Sequence, residues 1–271
     1  MITPDPHAAN ATISARRDLN DTVAIVHIRP DTGSVAPFVP GQFIQLGLPA
    51  GPDARRIAAD GSVRTKLVKR SYSIAGAPHE REAYELCLAF VEQGQLTPKL
   101  RELTVGDRLW HDPIPKGIFT MERVPYGRDL VFVATGTGIA PFVSMLRAYG
   151  GNPLRFRHFV VVHGARKRSD LAYHEELTAA ARADRRVSYI PILSREPAGS
   201  GWIGLRGRVQ TALQPACFLS RTGFALNPSS ASVFLCGNPA MIDEMRTELA
   251  SSGFTTDTPK HPGNVHFERY W

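Results

Sequence analysis

Apolar and polar residues alternate along the first part of the chain with the two-residue period of half-buried strands. Residues 12–17 and 22–29 alternate on either side of the turn residues Asn20 and Asp21, which is a hairpin pattern. Further strands are predicted over residues 42–48, 66–74, 84–91 and 107–111, and one short helix over residues 96–103. Short strands separated by turn residues predict a small antiparallel β-barrel.

The pattern changes near residue 126, where continuous apolar runs begin to alternate with helical segments. The apolar runs cover residues 130–134, 159–163, 187–193 and 233–236, and the helical segments cover residues 141–149, 170–183, 209–213 and 239–250. Such alternation is typical of a parallel sheet covered by helices on both faces. Residues 264–269 alternate like an edge strand. The predicted fold is therefore an antiparallel β-barrel over residues 1–125 followed by an α/β parallel-sheet domain over residues 126–271.

Composition narrows the class of protein. The 271 residues carry a formal net charge of +7, but the basic residues are scattered in pairs and triplets, so nucleic-acid binding is not expected. The three cysteines are too few for a disulfide framework or a four-cysteine iron–sulfur cluster, and no metal site is predicted. The chain has no apolar run of about 20 residues and no signal-peptide pattern, so we expect a soluble, cytoplasmic protein. We also expect a monomer.

One candidate binding motif lies on a predicted strand of the barrel. Arg70, Ser71, Tyr72 and Ser73 follow one another, and alternation places Arg70 and Tyr72 on the opposite side from the two serines. A flat heterocycle with a diphosphate requires a cation, an aromatic surface and a small hydroxyl, and this tetrapeptide supplies all three. Alone, the string is more typical of an ordinary exposed strand.

Three further motifs lie where a loop or strand meets a helix. Gly94, Gln95, Leu96 and Thr97 open the short helix, where backbone N–H groups are available to phosphate. Residues 134–141, with Thr137 among the glycines, join an apolar strand to a helix in the manner of a dinucleotide-binding turn, with Pro141 in place of a third glycine. Cys236 ends the last apolar run, although a buried structural cysteine is the commoner state.

In this order, the motifs resemble those of the ferredoxin–NADP reductase family, and of its bacterial branch in particular. The resemblance covers residues 12–271 and is carried by residues 70–73, 94–98, 135–141, 194–196 and 236–241 and by the terminal pair Tyr270-Trp271. It implies a barrel that binds FAD and an α/β domain that binds NADP. The chain departs from the family pattern over residues 49–69, a segment that is longer than expected. Residues 49–65 of this segment look like an exposed loop.

The resemblance also implies roles for single residues. Arg70 would bind the flavin pyrophosphate together with residues 94–97, Tyr72 would pack on the isoalloxazine ring, and Ser73 would lie near its N5. On the nucleotide side, Thr137 would lie at the flavin or nicotinamide edge and Cys236 would face the nicotinamide. Tyr270 would cover the flavin and Trp271 would contact the adenine end. The adenosine end of NADP would be held by Ala165, Arg166, Ser194, Arg195 and Arg208.

The activity implied is hydride transfer between NADP(H) and flavin N5, with single electrons passing to or from ferredoxin or flavodoxin. The positive net charge suits an acidic carrier protein of this kind. The same combination of a flavin-binding barrel and a nucleotide-binding domain also occurs in other electron-transfer systems. Two alternatives therefore stay open: the reductase component of an oxygenase, and the electron-transfer subunit of a larger flavoenzyme.

Overall fold

The computed structural model describes residues 5–57, 62–152 and 155–270. The chain forms two compact units, Met1–Ile118 and Phe119–Trp271. The change in sequence pattern near residue 126 lies shortly after the end of the first unit. None of the helices in the described ranges combines the length and apolar character that a membrane crossing requires.

The first unit is an antiparallel sheet. Its main strands are β1 (Ala11–Asn20), β2 (Val23–Pro30), β3 (Phe43–Pro49), β6 (Leu67–Ser73), β7 (Tyr84–Ala89) and β8 (Arg108–His111), arranged in the order β6-β3-β8-β1-β2-β7. A bridge between Ile74 and Leu86 links the two ends of this order. The six strands predicted from alternation are therefore present, and helix α1 (Thr97–Glu102) lies within the predicted helical segment.

Alternation produces the barrel core because every second side chain of each strand points inward. Ile44 and Leu46 of β3 and Leu86 of β7 are fully buried there, together with Ile28 of β2. The segment predicted as an exposed loop contains more structure than that. A 3₁₀ turn at Pro52–Ala54 leads into the two-stranded hairpin of β4 (Arg55–Ile57) and β5 (Val63–Thr65).

The second unit is a parallel six-stranded sheet. Its strands are β9 (Arg128–Thr135), β10 (Phe156–Ala165), β11 (Val187–Leu193), β12 (Leu205–Arg206), β13 (Ala231–Gly237) and β14 (Val265–Arg269), in the order β12-β11-β10-β9-β13-β14. The helices are α2 (Ala140–Tyr149), α3 (His174–Ala183), α4 (Val209–Leu213), α5 (Pro215–Thr222) and α6 (Pro239–Ser251). The predicted α/β parallel sheet is thus confirmed, while β12 and α5 were not predicted.

The middle strands of this sheet are buried on both faces, which explains their continuous apolar runs. Val131, Val133 and Val160 are fully inaccessible on one side of the sheet. On the other side, Phe132 packs against Phe159 and Phe234, with ring centroids 4.4 and 5.3 Å apart. This core fixes the strand ends from which the binding loops of the second unit emerge.

Candidate functional site

The strand order of the second unit reverses beside β9. The chain passes from β9 to β10 on one side, and later returns to place β13 on the other side. In open parallel sheets, ligands bind outside the carboxyl ends of the strands at such a reversal. The glycine-containing turn after β9 and the turn after β13 both lie at this edge. The structure therefore brings together two motifs that are about a hundred residues apart in sequence.

These two turns pack backbone against backbone, which explains their glycines. A Cβ atom on Gly138 would lie 2.4 Å from the carbonyl oxygen of Cys236, and one on Gly237 would lie 2.3 Å from Oγ1 of Thr135. The amide N–H of Asn238 donates to the same Thr135 hydroxyl over 2.9 Å. Gly136 differs, because a Cβ there would meet no atom within 4 Å and its φ is +55°. The turn therefore has one face packed on β13 and one open face.

The C-terminal tail reaches the same edge. Strand β14 pairs in parallel with β13, and the amide of Tyr270 donates to the Gly237 carbonyl over 3.3 Å. The Tyr270 hydroxyl then donates to the carbonyl oxygen of Thr137 over 3.2 Å. Three residues predicted for the site, Thr137, Cys236 and Tyr270, are thus neighbours. Trp271 lies outside the described residues.

Cys236 is fully buried at the end of β13. Burial raises the pKa of its thiol well above the ordinary value, and the nearby charge of Glu268 acts in the same direction, whereas a hydrogen bond with Tyr270 opposes them. Because burial dominates, the group is a neutral thiol at physiological pH. It is therefore suited to packing beside a ligand and not to acting as a nucleophile.

An arginine-rich edge, which we define as Arg166, Arg195, Arg206 and Arg208, lies at the carboxyl ends of β10, β11 and β12. All four side chains are exposed. The amide of Arg195 donates to the Arg166 carbonyl over 2.9 Å, so the loops that follow β10 and β11 are tied together. The amide of Ser194 likewise donates to the Ala165 carbonyl over 3.0 Å.

Glu196 connects the loops of the arginine-rich edge through two hydrogen bonds. Its Oε2 accepts the amide N–H of Arg168 over 2.9 Å, and its carbonyl oxygen accepts Nη1 of Arg206 over 2.5 Å. Arg208 lies 3.7 Å from a carboxylate oxygen of Glu244, and both side chains are largely exposed. The predicted adenosine-end residues thus lie at three adjacent strand ends, where clustered guanidinium groups favour a phosphate.

In the first unit, the predicted tetrapeptide ends β6. Arg70 and Ser71 are exposed, Tyr72 is half-buried against the barrel core, and Ser73 is buried. Burial raises the pKa of the Tyr72 hydroxyl, whose oxygen is inaccessible and has no hydrogen-bond partner among the described residues. An unpaired buried hydroxyl costs about 1–3 kcal/mol. A polar group bound beside Tyr72 would offset this cost, and so these residues fit a cofactor that carries phosphate and hydroxyl groups.

Residues 94–97 form the turn before α1. The Thr97 hydroxyl donates to the Val91 carbonyl over 2.8 Å and accepts the Val91 amide over 3.1 Å, while the amide of Gly94 donates to the same carbonyl over 2.9 Å. Gly94 has to be glycine, because a Cβ would lie 2.5 Å from Oγ1 of Thr97. Leu96 is buried, whereas Gly94 and Gln95 are accessible. The Thr97 hydroxyl therefore closes the turn, and the backbone at Gly94 and Gln95 remains accessible to solvent.

Two residues of the second unit escaped the sequence analysis. His163, at the end of β10, is fully buried and lies 3.1 Å through Nε2 from the Gly136 carbonyl oxygen. A histidine closing an apolar parallel strand is the signal that would have identified it. Arg206 lies in a two-residue strand, which is too short for any periodicity to reveal.

Comparison with known proteins shows the family to which this chain belongs. The sequence profile of the oxidoreductase NAD-binding domain matches residues 132–247. The chain is 35% identical to ferredoxin–NADP reductase B of Sorangium cellulosum over an alignment of 273 positions, which covers 100% of both proteins. It is 32% identical to the flavodoxin/ferredoxin–NADP reductase of Escherichia coli over 88% of this chain and 89% of that protein.

The fold has a close counterpart among solved structures. A ferredoxin NADP⁺ reductase from Neisseria gonorrhoeae with bound FAD and NADP superimposes with a TM-score of 0.81 at 23% identity, over 97% of this chain and 98% of that one. Similarity at this level establishes the two-unit fold, and the sequence relatives establish the descent. The chain belongs to the bacterial ferredoxin/flavodoxin–NADP reductase family.

Proposed function

We infer that this protein is an FAD-dependent oxidoreductase that transfers electrons between NADP(H) and ferredoxin or flavodoxin. The observation that carries this conclusion is the full-length match to a ferredoxin–NADP reductase, 35% identical over 100% of both chains. The bound FAD and NADP of the structural relative from Neisseria agree with it. FAD supplies the chemistry, because it exchanges a hydride with a nicotinamide and single electrons with a one-electron carrier.

We propose that FAD binds the predicted barrel, residues 1–125, which contains the whole first unit. Arg70 is exposed at the end of β6, where its guanidinium suits the pyrophosphate. Tyr72 would place its ring on the isoalloxazine and pair its orphaned hydroxyl with the cofactor. Ser71 and Ser73 would contact the cofactor from the same strand, Ser73 near N5. The accessible turn at Gly94–Thr97 would provide backbone N–H donors to phosphate.

We propose that NADP binds the predicted α/β domain, residues 126–271, which lies within the second unit. Arg166, Arg195 and Arg208 belong to the arginine-rich edge and would hold the 2′-phosphate. A guanidinium group suits this role because its planar fork of N–H donors can bind two phosphate oxygens at once. Ala165 and Ser194 would shape the adenosine pocket between them, since their backbones are already joined. We therefore propose a strong preference for NADPH over NADH.

The nicotinamide end would lie at the turn formed by residues 135–139. Thr137 and Cys236 would line it, with the neutral Cys236 thiol as a small apolar surface beside the reacting carbon. Tyr270 is held here by Thr137 and Gly237. We propose that Tyr270 covers the flavin in the resting enzyme and that Trp271 contacts the adenine end. The nicotinamide would then have to displace the tail, which would help set the turnover rate.

The partner protein is proposed to be acidic, because the chain carries a net charge of +7 and a carrier must approach its flavin. We further propose that the enzyme is a monomer in the cytoplasm. All three cysteines are free thiols, two of them buried, which suits a reducing compartment.

The direct test is reduction of cytochrome c by NADPH with the purified protein, with and without added ferredoxin or flavodoxin. We expect flavin absorption, release of FAD on denaturation, and stimulation by the added carrier. Arg70→Ala should weaken FAD retention by roughly ten- to hundredfold, as expected for a lost charge-assisted phosphate contact. Release of FMN would contradict the assignment of two phosphate sites. Stimulation by an oxygenase component and not by either carrier would favour the alternative of an oxygenase reductase.

A further inference from the structure

A row of hydrogen bonds crosses the second unit from the glycine-containing turn to the start of α3. Nε2 of His163 lies 3.1 Å from the Gly136 carbonyl oxygen. Nδ1 of His163 lies 3.3 Å from the Tyr189 hydroxyl, which in turn lies 3.3 Å from Nδ1 of His174. The turn after β9, the strands β10 and β11, and helix α3 contribute one group each to this row.

The chemistry of the groups fixes the order of the protons. A carbonyl oxygen only accepts, so Nε2 of His163 carries the hydrogen that it donates to Gly136. In the neutral ring, Nδ1 is then an acceptor, and the Tyr189 hydroxyl donates to it. Because that hydroxyl has a single proton, Nδ1 of His174 must be the donor to Tyr189. The direction of each hydrogen bond in the row therefore determines the direction of the next, and with it the tautomers of His163 and His174.

The start of α3, which carries His174, is fixed in position by its surroundings. Tyr173, the residue before His174, has a φ of +60° and is the one non-glycine residue with positive φ in the described ranges. Such a conformation persists only where the surroundings impose it. Arg147 of α2 binds Glu176 of α3 through two hydrogen bonds of 2.7 and 2.8 Å, and its guanidinium lies 5.5 Å from the centre of the Tyr173 ring.

We propose that His163 is a positioning residue that orients the nucleotide-binding turn, with Tyr189 and His174 fixing its tautomer. In a trans peptide the carbonyl and the next N–H point in opposite directions. By holding the Gly136 carbonyl toward β10, His163 turns the N–H of Thr137 toward the open face of the turn. Tyr270 holds the next carbonyl, that of Thr137, in the same way. This inference rests on the proposed binding of NADP at this turn.

The test compares NADP⁺ affinity, measured by calorimetric titration of the FAD-loaded enzyme, among four proteins. His163→Leu removes the donor and should raise the Kd of NADP⁺ and the KM for NADPH roughly three- to tenfold, with a smaller change in kcat. His163→Gln keeps a donor and an acceptor at a similar reach and should restore most of the affinity. His158→Leu is the matched control, because His158 lies near the other end of β10 and contacts Asp129.

Two measurements keep the proposal testable if His163→Leu does not fold. Tyr189→Phe removes only the hydroxyl that fixes the tautomer, and should weaken NADP⁺ binding in the same direction by a smaller factor. In the wild-type protein, ¹⁵N NMR of the imidazoles should show a protonated Nε2 and an unprotonated Nδ1 at His163. A protonated Nδ1 would overturn the proposed order.

The outcomes separate this inference from the proposed function. Wild-type protein that binds no NADP⁺ would refute the proposed function and, with it, any role of His163 toward the coenzyme. Wild-type protein that binds NADP⁺, with His163→Leu binding equally well, would refute the inference alone. A loss in His163→Leu that Gln does not restore and that His158→Leu matches would show a general structural effect and would also refute it.

Discussion

His163 should make the second unit sensitive to acid, and the size of this effect follows from its surroundings. Burial lowers the pKa of His163 to about 4; the hydrogen bond to the Gly136 carbonyl opposes the effect of burial, and the charge of His174 acts in the same direction as burial. Protonation would also remove the lone pair on Nδ1 that accepts from Tyr189. The folded protein therefore keeps this imidazole neutral over a range in which the unfolded chain protonates it.

The sign and magnitude can be worked out from these two pKa values. Below its ordinary pKa of 6.5, His163 binds a proton in the unfolded chain but not in the folded one until the pH nears 4. The stabilisation is therefore complete above pH 6.5 and is lost as the pH falls toward 4. Since one pKa unit corresponds to about 1.4 kcal/mol, lowering the pH from about 7.5 to about 5 should cost about 2 kcal/mol through this residue.

The assay is urea unfolding of the wild-type protein and His163→Gln, followed by circular dichroism at both pH values. The variant is expected to lose about 2 kcal/mol less than the wild type on acidification. Burial also lowers the pKa of His111 and His266, but their contributions are common to both proteins and cancel in the comparison. Equal losses in the two proteins would show that His163 titrates normally and would refute the reasoning.

Four further predictions concern charges and thiols. Arg195→Ala should raise the KM for NADPH roughly ten- to hundredfold and leave that for NADH almost unchanged, and equal losses in steady-state kinetics would contradict the 2′-phosphate assignment. Asp129→Asn should lower the free energy of unfolding in urea by about 1–3 kcal/mol, because the buried carboxylate binds Arg157 and His158; an unchanged midpoint would contradict this. Iodoacetamide should modify the partly exposed Cys217 well before the buried Cys236, as peptide mass spectrometry can show; comparable rates would contradict the burial argument. Ferredoxin reduction should slow as ionic strength rises, because the Debye length falls from about 10 Å at 0.1 M to about 3 Å at 1 M salt; a flat profile would exclude electrostatic steering.

The sequence predicted the main elements well where burial imposes a clear period. The run over residues 187–193 coincides with β11, and the helix over residues 209–213 coincides with α4. Prediction failed where elements are short. The hairpin of β4 and β5 has three-residue strands, which carry no period, and β12 has two residues. Helix α5 was also missed, although Pro215 at its first position is a recognised start signal.

The candidate site divides along the same line. Glycine-containing turns and arginines at strand ends are visible in sequence because their residue types are constrained by the backbone or by phosphate. The partners that hold these groups are not visible, because they come from distant strands. His163 reaches Gly136 across 27 residues, and the link from Glu196 to Arg168 joins two different loops. Only the strand order of the sheet makes such pairs neighbours.

The C-terminal tail shows why two hypotheses for one segment need not exclude each other. The alternation of residues 264–269 predicts an edge strand, and the terminal aromatic pair predicts a role at the cofactor. Strand β14 exists, and its pairing with β13 carries Tyr270 to the carboxyl end of the sheet, where its hydroxyl holds Thr137. The edge strand is therefore the means by which the aromatic ring reaches the glycine-containing turn. The pairing of β14 with β13 runs from Val265 to Arg269 and does not involve the Tyr270 ring. The hydrogen bond of 3.2 Å from the Tyr270 hydroxyl to Thr137 contributes about 0.5–1.5 kcal/mol, so we expect that the ring can leave while the strand stays paired.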